Sequence, residues 1–330
     1  MPRVVRFHQL GGPENLKIEE VPSQQPGKGE VRLLVQAVGL NRAESMFYHG
    51  QYLEQPRFPS RLGYEAAGVV DAAGEGVDRE WIGKTVATVP GFSMTRYGTL
   101  GEEALVPATA LGKYPSSLTP AQASAIWMQY LTAYGALVHH GGVKAGDFVS
   151  IPAASSSVGL AAIQIARDSG ATAIAVTRSS AKRDELLALG AHHVIASQEE
   201  DYVRRIQEIT GGKGVRLTFD PVAGPDLEKL ATAAAPGGIL FEYGILSGQP
   251  TPFPLFQALS KGLSVRGYLL MEITLDPALL DKAKAYVFDR LADGRFVPKI
   301  AKIFPFDQAA DAYIYLESNQ QVGKVVITVP

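Results

Sequence analysis

The stretch from residue 144 to residue 270 constrains the fold more than any other part of the chain. Six short apolar runs follow one another there: "DFVSIPA", "ATAIAVT", "HHVIA", "VRLTFD", "GILFEYG" and "LSVRGYL". Helical patterns such as "SSAKRDELLALG", "EEDYVRRIQEIT" and "GPDLEKLATAAA" separate the first five. Repeated strand–helix units mean parallel strands, because each crossover returns the chain to the same edge of the sheet. The stretch is therefore expected to form a doubly wound parallel sheet of the α/β class.

The first unit carries the sharpest local signal, "IPAASSSVG" at residues 151–159. An apolar run leads in, and a helical pattern over residues 158–167 leads out. Dinucleotide-binding chains place G-x-G-x-x-G in this setting. Here the three slots hold Ala154, Ser156 and Gly159. Alanine and serine are the next smallest residues, so a pyrophosphate can still approach the backbone. The free N–H groups and positive dipole end of a helix starting near Ser157 favour such an anion. Ser155, Ser156, Ser157, Val158 and Gly159 are the candidate cradle, with an ordinary βα turn as the alternative reading. The array of strand–helix units favours the cradle.

The end of the second strand selects the cofactor. NAD-binding chains carry an acidic residue there for the ribose hydroxyls. This chain reads "AVTRSSAKR" and has no carboxylate before Asp184. Thr177, Arg178, Ser179 and Lys182 stand in its place, and arginine grips a phosphate with a planar fork. Basic residues run against the usual preference of a helix start for acids. NADP(H) is the expected cofactor.

The first third of the chain has a different texture, dense in glycine, proline and β-formers, with strand-like runs such as "EVRLLVQAVGLN" and "EAAGVVDAAG". No long helical period precedes Thr119-Pro120, an N-cap followed by proline at the first helical position. Two helical segments follow, up to His140. An amphipathic helix is expected at Pro277–Ala292, before a closing strand "GKVVITV". The domain limits read from this pattern are 1–120 with 271–330, and 121–270.

The 330 residues exceed one ordinary core, and the net charge of −2 has no basic block for nucleic acid or a membrane surface. The N-terminal stretch lacks a secretory core, so cytoplasm is the default expectation. Cysteine is absent, which excludes disulfides and thiolate chemistry.

These pieces resemble the medium-chain dehydrogenase/reductase superfamily, and most of all its zinc-free quinone-oxidoreductase branch. The resemblance runs through "FHQLGGPENLKIEEVP", "VQAVGLNRAESMFYHGQY", "FPSRLGYEAAGVV", "LTAYGALVHHGGVKAGDFVSI", "SVGLAAIQIA", "LLALGAHHVI" and "GKVVITV". It implies a β-rich GroES-like catalytic domain with a Rossmann domain inserted, a cleft between them for nicotinamide and substrate, and a homodimer.

Matching the motifs places Asn41, Tyr64 and Met128 where zinc members hold catalytic metal. An amide, a phenol and a thioether make a poor zinc set, and the six histidines supply no substitute motif. Without a Lewis acid, a quinone or α,β-unsaturated carbonyl is the expected small-molecule substrate, because it spreads the charge of an added hydride over its own π-system.

The resemblance also implies site residues. Asn41 and Glu44 match the N-x-x-D pair of the branch, with glutamate for aspartate. Tyr64 stands where zinc members have a ligand. Tyr52 falls where enoyl-thioester reductases of the superfamily keep a proton-donating tyrosine. Thr132 matches a position near the nicotinamide, and Gly244 ends the fifth strand, where the cofactor crosses the sheet edge. Lys324 is a candidate for the cofactor phosphates. Structural roles stand beside each of these. An enoyl-thioester reductase and a non-catalytic NADPH-binding sensor remain as alternatives to the quinone or enone reductase.

Overall fold

The computed structural model describes residues 1–330. Eight strands come first: β1 (Arg3–Phe7), β2 (Lys17–Glu20), β3 (Glu30–Gly39), β4 (Ser60–Arg61), β5 (Glu65–Ala73), β6 (Thr85–Thr88), β7 (Glu103–Pro107) and β8 (Leu111–Gly112). Next come β9 (Phe148–Ile151), β10 (Thr172–Thr177), β11 (His193–Ala196), β12 (Val215–Asp220), β13 (Ala234–Glu242) and β14 (Ser264–Gly267). The chain ends with β15 (Ile300–Pro305) and β16 (Lys324–Thr328).

Two compact units result, Met1–Met128 with Thr274–Pro330, and Gln129–Ile273. In the first, a seven-stranded sheet runs β15-β16-β3-β5-β6-β8, with β7 also paired to β3. A small sheet, β2-β1-β4, accompanies it. Strand β3 is the hub. Val31, Leu33 and Val35 point inward, while Leu34 and Gln36 point out, as the two-residue period of a half-buried strand requires. At Ala37, Val38 and Gly39 the alternation stops and every residue is buried, where β16 and β5 flank the strand. A Cβ on Gly39 would lie 1.9 Å from the carbonyl oxygen of Ser124. That residue closes the helix Pro120–Ala123, whose Thr119 cap and leading proline match the expected start signal. The close approach fastens this helix to β3, so the first unit extends to Met128 and not only to residue 120.

The second unit is a six-stranded parallel sheet in the order β11-β10-β9-β12-β13-β14. Its strands coincide with the six apolar runs. In chain order the arrangement is third, second, first, fourth, fifth, sixth, so the direction of travel reverses between β9 and β12. Open α/β sheets bind ligands beyond the carboxyl ends of their strands at this reversal. Ile174, Val176, Ile195, Val215 and Leu240 pack with Tyr202, Ile206, Leu227 and Leu230 of the covering helices. The helical stretch up to His140 is an α-helix, Trp127–Ala133, that continues as a π-helix, Tyr134–His140. The helix Pro277–Ala292 has the expected bounds, its start capped by Asp276. No helix is long and apolar enough to cross a membrane.

Candidate active site

In the second unit, β9 leads through a turn into the helix Ser157–Asp168. Ser156 caps this helix by accepting the N–H of Gly159 at 3.0 Å. At Gly159 an added Cβ would sit 2.7 Å from Ala154 Cα and from its carbonyl oxygen. Helix and turn can meet only if this slot is glycine, the one slot of the triplet that keeps it. Ala154 is fully buried, and its N–H bonds the carbonyl of Val176 at 3.1 Å. Ala153 takes φ 48°, a left-handed conformation that favours glycine. Ser155, Ser156, Ser157 and Val158 remain half-buried along the helix start. A 12-residue helix opening on small, partly accessible residues suits a pyrophosphate.

Strand β10 brings its basic end to this turn. Lys182 Nζ donates to Ser155 Oγ at 3.1 Å. Burial, and then the charge of Arg178, hold the Lys182 ammonium below the usual lysine range. Two cations crowded at a strand end form a place that an added anion would relieve. Arg178 is exposed there, beside half-buried Thr177 and Ser179. Arg183, from the same basic run, turns away to the Val194 carbonyl and Glu200. Thr132 is a buried residue within the helix Trp127–Ala133. Gly244 follows β13, and a Cβ there would meet the Pro221 carbonyl at 2.6 Å.

In the first unit a buried polar cluster gathers residues far apart in the sequence. Lys324, on β16, is 1% exposed. Its ammonium donates to Asn41 Oδ1 and Glu65 Oε2, each at 2.5 Å. Asn41 Nδ2 donates to the Gly39 carbonyl at 3.1 Å and to Glu44 Oε1 at 3.3 Å. The amide orientation follows from the partners: an ammonium only donates, while a carbonyl and a carboxylate only accept. Both amide hydrogens of Asn41 are thus engaged. Glu44 is fully buried. It accepts the Asn41 N–H at 2.9 Å, the Tyr64 N–H at 3.1 Å and the Tyr313 hydroxyl at 2.8 Å. Burial pushes its carboxyl above the usual carboxylate range, against those hydrogen bonds and Lys324. Asn41 and Glu44 form the capping box of the helix Arg42–Tyr48. Lys324 is turned inward here, and its ammonium is held by Asn41 and Glu65 rather than extended toward a phosphate.

The frame carries Tyr64, whose ring is 1% exposed. Its hydroxyl donates to the Tyr52 hydroxyl through a long hydrogen bond of 3.4 Å. Tyr52 is half-buried and touches Phe47 edge-on. Burial raises both phenols above the ordinary tyrosine range, so both stay protonated at neutral pH. At the three positions matched to metal ligands, the Asn41 oxygen faces an ammonium, Tyr64 bonds Tyr52, and Met128 has its N–H on Glu65 Oε1 at 2.8 Å. A buried ammonium beside such donors repels a cation. This set does not fit zinc, and no group of three or more His, Cys, Asp or Glu is placed to hold a metal ion.

The structure thus groups Asn41, Glu44, Tyr52, Tyr64 and Lys324 in one unit. Thr132, the serine turn, the basic strand end and Gly244 lie in the other. Sequence reasoning missed Glu65, Tyr313, Asp220 and Glu242. Glu65 begins an apolar strand, and Asp220 and Glu242 end two more. An acid at a strand end in an otherwise apolar run was the available signal.

Comparison with known proteins adds three findings. The family described as "Zinc-binding dehydrogenase" matches residues 157–284, and "Alcohol dehydrogenase GroES-like domain" matches residues 27–116. A 2-haloacrylate reductase from Burkholderia sp is 32% identical, over 97% of this chain and 97% of its own. Two solved quinone oxidoreductases share the fold. That of Pseudomonas syringae pv. Tomato DC3000 has TM-score 0.91 and 29% identity, covering 99% of this chain and 100% of its own. That of Escherichia coli, complexed with NADPH, has TM-score 0.90 and 30% identity, covering 99% of each chain.

The ion pair makes a quantitative prediction. Lys324→Met and Glu65→Gln should each destabilise the protein by about 3–5 kcal/mol, since each leaves a partner buried and unpaired. Urea denaturation should show the double variant losing clearly less than the sum. Additive losses would mean that the two side chains do not interact.

Proposed function

The chain belongs to the medium-chain dehydrogenase/reductase superfamily, in its quinone-oxidoreductase-like branch, and from that premise we propose that it is an NADPH-dependent, metal-independent reductase of quinones or other α,β-unsaturated carbonyls. One observation carries this reading. Asn41, Glu44 and Lys324 are consumed by one another, which leaves the Tyr52–Tyr64 pair as the proton donors of that unit's site. Phenols can protonate the oxygen of an enolate or of a hydroquinone anion, but they do not polarise a plain ketone as a metal does. The name of the haloacrylate relative supports an activated C=C acceptor, since an acrylate is an alkene conjugated to a carboxyl group.

NADPH, when bound, would supply the hydride. Tyr52 gives the proton from its hydroxyl, and Tyr64 then donates its hydrogen bond to the phenolate left behind. The half-buried Tyr52 regains its proton from water. Glu44 positions Tyr64 by holding its backbone N–H. In the other unit, the helix start at Ser156 and Ser157 holds the pyrophosphate, while Arg178 and Lys182 hold the 2′-phosphate.

We also propose a homodimer. Strand β14 leaves one edge of the parallel sheet unpaired. The neighbouring helix Leu255–Lys261 exposes Leu255, Phe256 and Leu259 by 58%, 83% and 75%. Such an edge invites pairing with a second copy.

Three measurements follow. Mixed with NADPH and a panel of quinones, enones and enoyl-CoA thioesters, the protein should oxidise NADPH with a quinone or enone. Tyr52→Phe should lower kcat about 100-fold with NADPH affinity unchanged. Activity on thioesters alone would shift the substrate class, and tight NADPH binding with no turnover would make the chain a sensor. Titration should show NADPH bound more tightly than NADH, with the preference lost in Arg178→Asp; equal affinities in the unaltered protein would overturn the cofactor assignment. Sedimentation should give twice the chain mass, reduced to one in Phe256→Glu with Leu259→Glu; a monomer at micromolar concentration would refute the dimer.

A further inference from the structure

Nothing in the reaction scheme uses the two carboxylates at the carboxyl ends of β12 and β13. Asp220 and Glu242 are register partners on these parallel strands, so they stand on the same face of the sheet. Asp220 is 1% exposed, and its oxygens accept the N–H groups of Val222 at 2.8 Å and Ala223 at 3.0 Å. Both Glu242 oxygens are buried and receive no donor from the protein. Their neighbour is Asp220, with which Glu242 hydrogen-bonds when one of the two carries a proton.

No cation pairs with either carboxylate. The turn Gly224–Asp226 contributes another acid, Asp226, which is itself paired with Lys229 at 2.7 Å. The helix Tyr202–Thr210 contributes the Tyr202 hydroxyl, already bonded to Ser150. Immediately after β13, Tyr243 stacks on Phe219 at 4.0 Å and keeps its hydroxyl buried. The partner of Glu242 on β14 is Gly267, and the nearby Arg266 is paired with Glu272 at 2.7 Å. Burial and Asp220 push the Glu242 carboxyl in the same direction, up to about 8. Burial raises Asp220 as well. Two such acids cannot both ionise cheaply, so at neutral pH they share one proton.

The pair lies where a dinucleotide would run. Strand β12 is the first beyond the reversal of the sheet and β13 is next to it. Gly244, two residues after Glu242, has no room for a Cβ. A nicotinamide ring is neutral when reduced and carries a positive charge when oxidised, and an ionised carboxylate near it favours only the cation.

We propose that Asp220 and Glu242 form a proton-sharing counter-charge for the nicotinamide, protonated beside the neutral reduced ring and releasing that proton to solvent when the oxidised cation binds. The proposal rests on the NADP(H) reading above. Its consequence is that affinity for NADP⁺ rises with pH while affinity for NADPH does not. Oxidised cofactor is then held longer in alkaline conditions, and turnover toward reduction slows by product inhibition.

Isothermal titration of each cofactor at pH 7, in buffers of different ionisation heat, reads the protons released. The 2′-phosphate contributes equally to both cofactors and cancels in the difference. NADP⁺ should release more than half a proton beyond NADPH, and its affinity relative to NADPH should rise about tenfold from pH 6 to pH 9. In Glu242→Gln both differences should vanish. The apoprotein gives a second readout free of cofactor. The raised Glu242 pKa means the folded state binds the proton more tightly than the unfolded chain, so stability falls as pH rises from about 4.5 to about 8. Glu242→Gln should remove that part of the fall in melting temperature. Equal proton release by the two cofactors, or a difference that survives in Glu242→Gln, overturns the proposal and leaves the NADP(H) reading intact. Absence of any dinucleotide binding overturns both. Should Glu242→Gln not fold, the comparison of the two cofactors on the unaltered protein decides alone.

Discussion

A lysine ammonium with 1% exposure has to be paid for by its partners, and in this protein Glu65 and Asn41 are those partners. Withdrawing a charge from water costs several kcal/mol, so such a group persists only with an opposite charge and its remaining hydrogens bonded. Here the ion pair joins the start of β5 to the start of β16. Asn41 extends it to the first helix, and Glu44 extends it to Tyr64 and Tyr313. Segments separated by more than two hundred residues are thereby locked in one arrangement. Because each member uses the others' hydrogen-bonding capacity, the proposed reading leaves the chemistry to the two tyrosines that the frame carries.

This arrangement sets the frame apart from a metal centre, in a chain matched in part by a family described as zinc-binding dehydrogenase. A metal brings positive charge and open coordination. Lys324 brings positive charge but no open position, and Glu65 largely neutralises it. On the proposed reading, oxyanion stabilisation comes from hydroxyl donors, which is enough for acceptors that share the charge themselves. In the second unit the substitution of glycine runs in parallel. Ser156 at the cap and the buried Ala154 stand in two of the glycine slots, while Gly159 stays because its Cβ would strike Ala154.

Local periodicity made much of this legible. Six apolar runs became six parallel strands, since a strand buried on both faces needs an apolar run and a turn at each end. The serine turn, the Thr119 cap and the bounds of the helix Pro277–Ala292 are encoded within a few residues. The opposite face of Lys324 was not readable, because its partners are 283 and 259 positions away. Nor could Asn41 be recognised as saturated, although its spacing to Glu44 is that of a capping box. The limit at Met128 depends on the contact of Gly39 with Ser124, and the pairing of Asp220 with Glu242 depends on strand register. Both arise only once the sheets are assembled.

The central claim is that Lys324 is a buried ammonium, held by Glu65 and Asn41, that ties this frame together. Nuclear magnetic resonance of the Nζ groups, in protein labelled with ¹⁵N-lysine, addresses it most directly. The account predicts one ammonium at pH 7, assigned by its loss in Lys324→Arg, whose three protons exchange with water far more slowly than those of every exposed lysine. A Lys324 signal exchanging at the exposed rate, or a nitrogen bearing two protons, would contradict it.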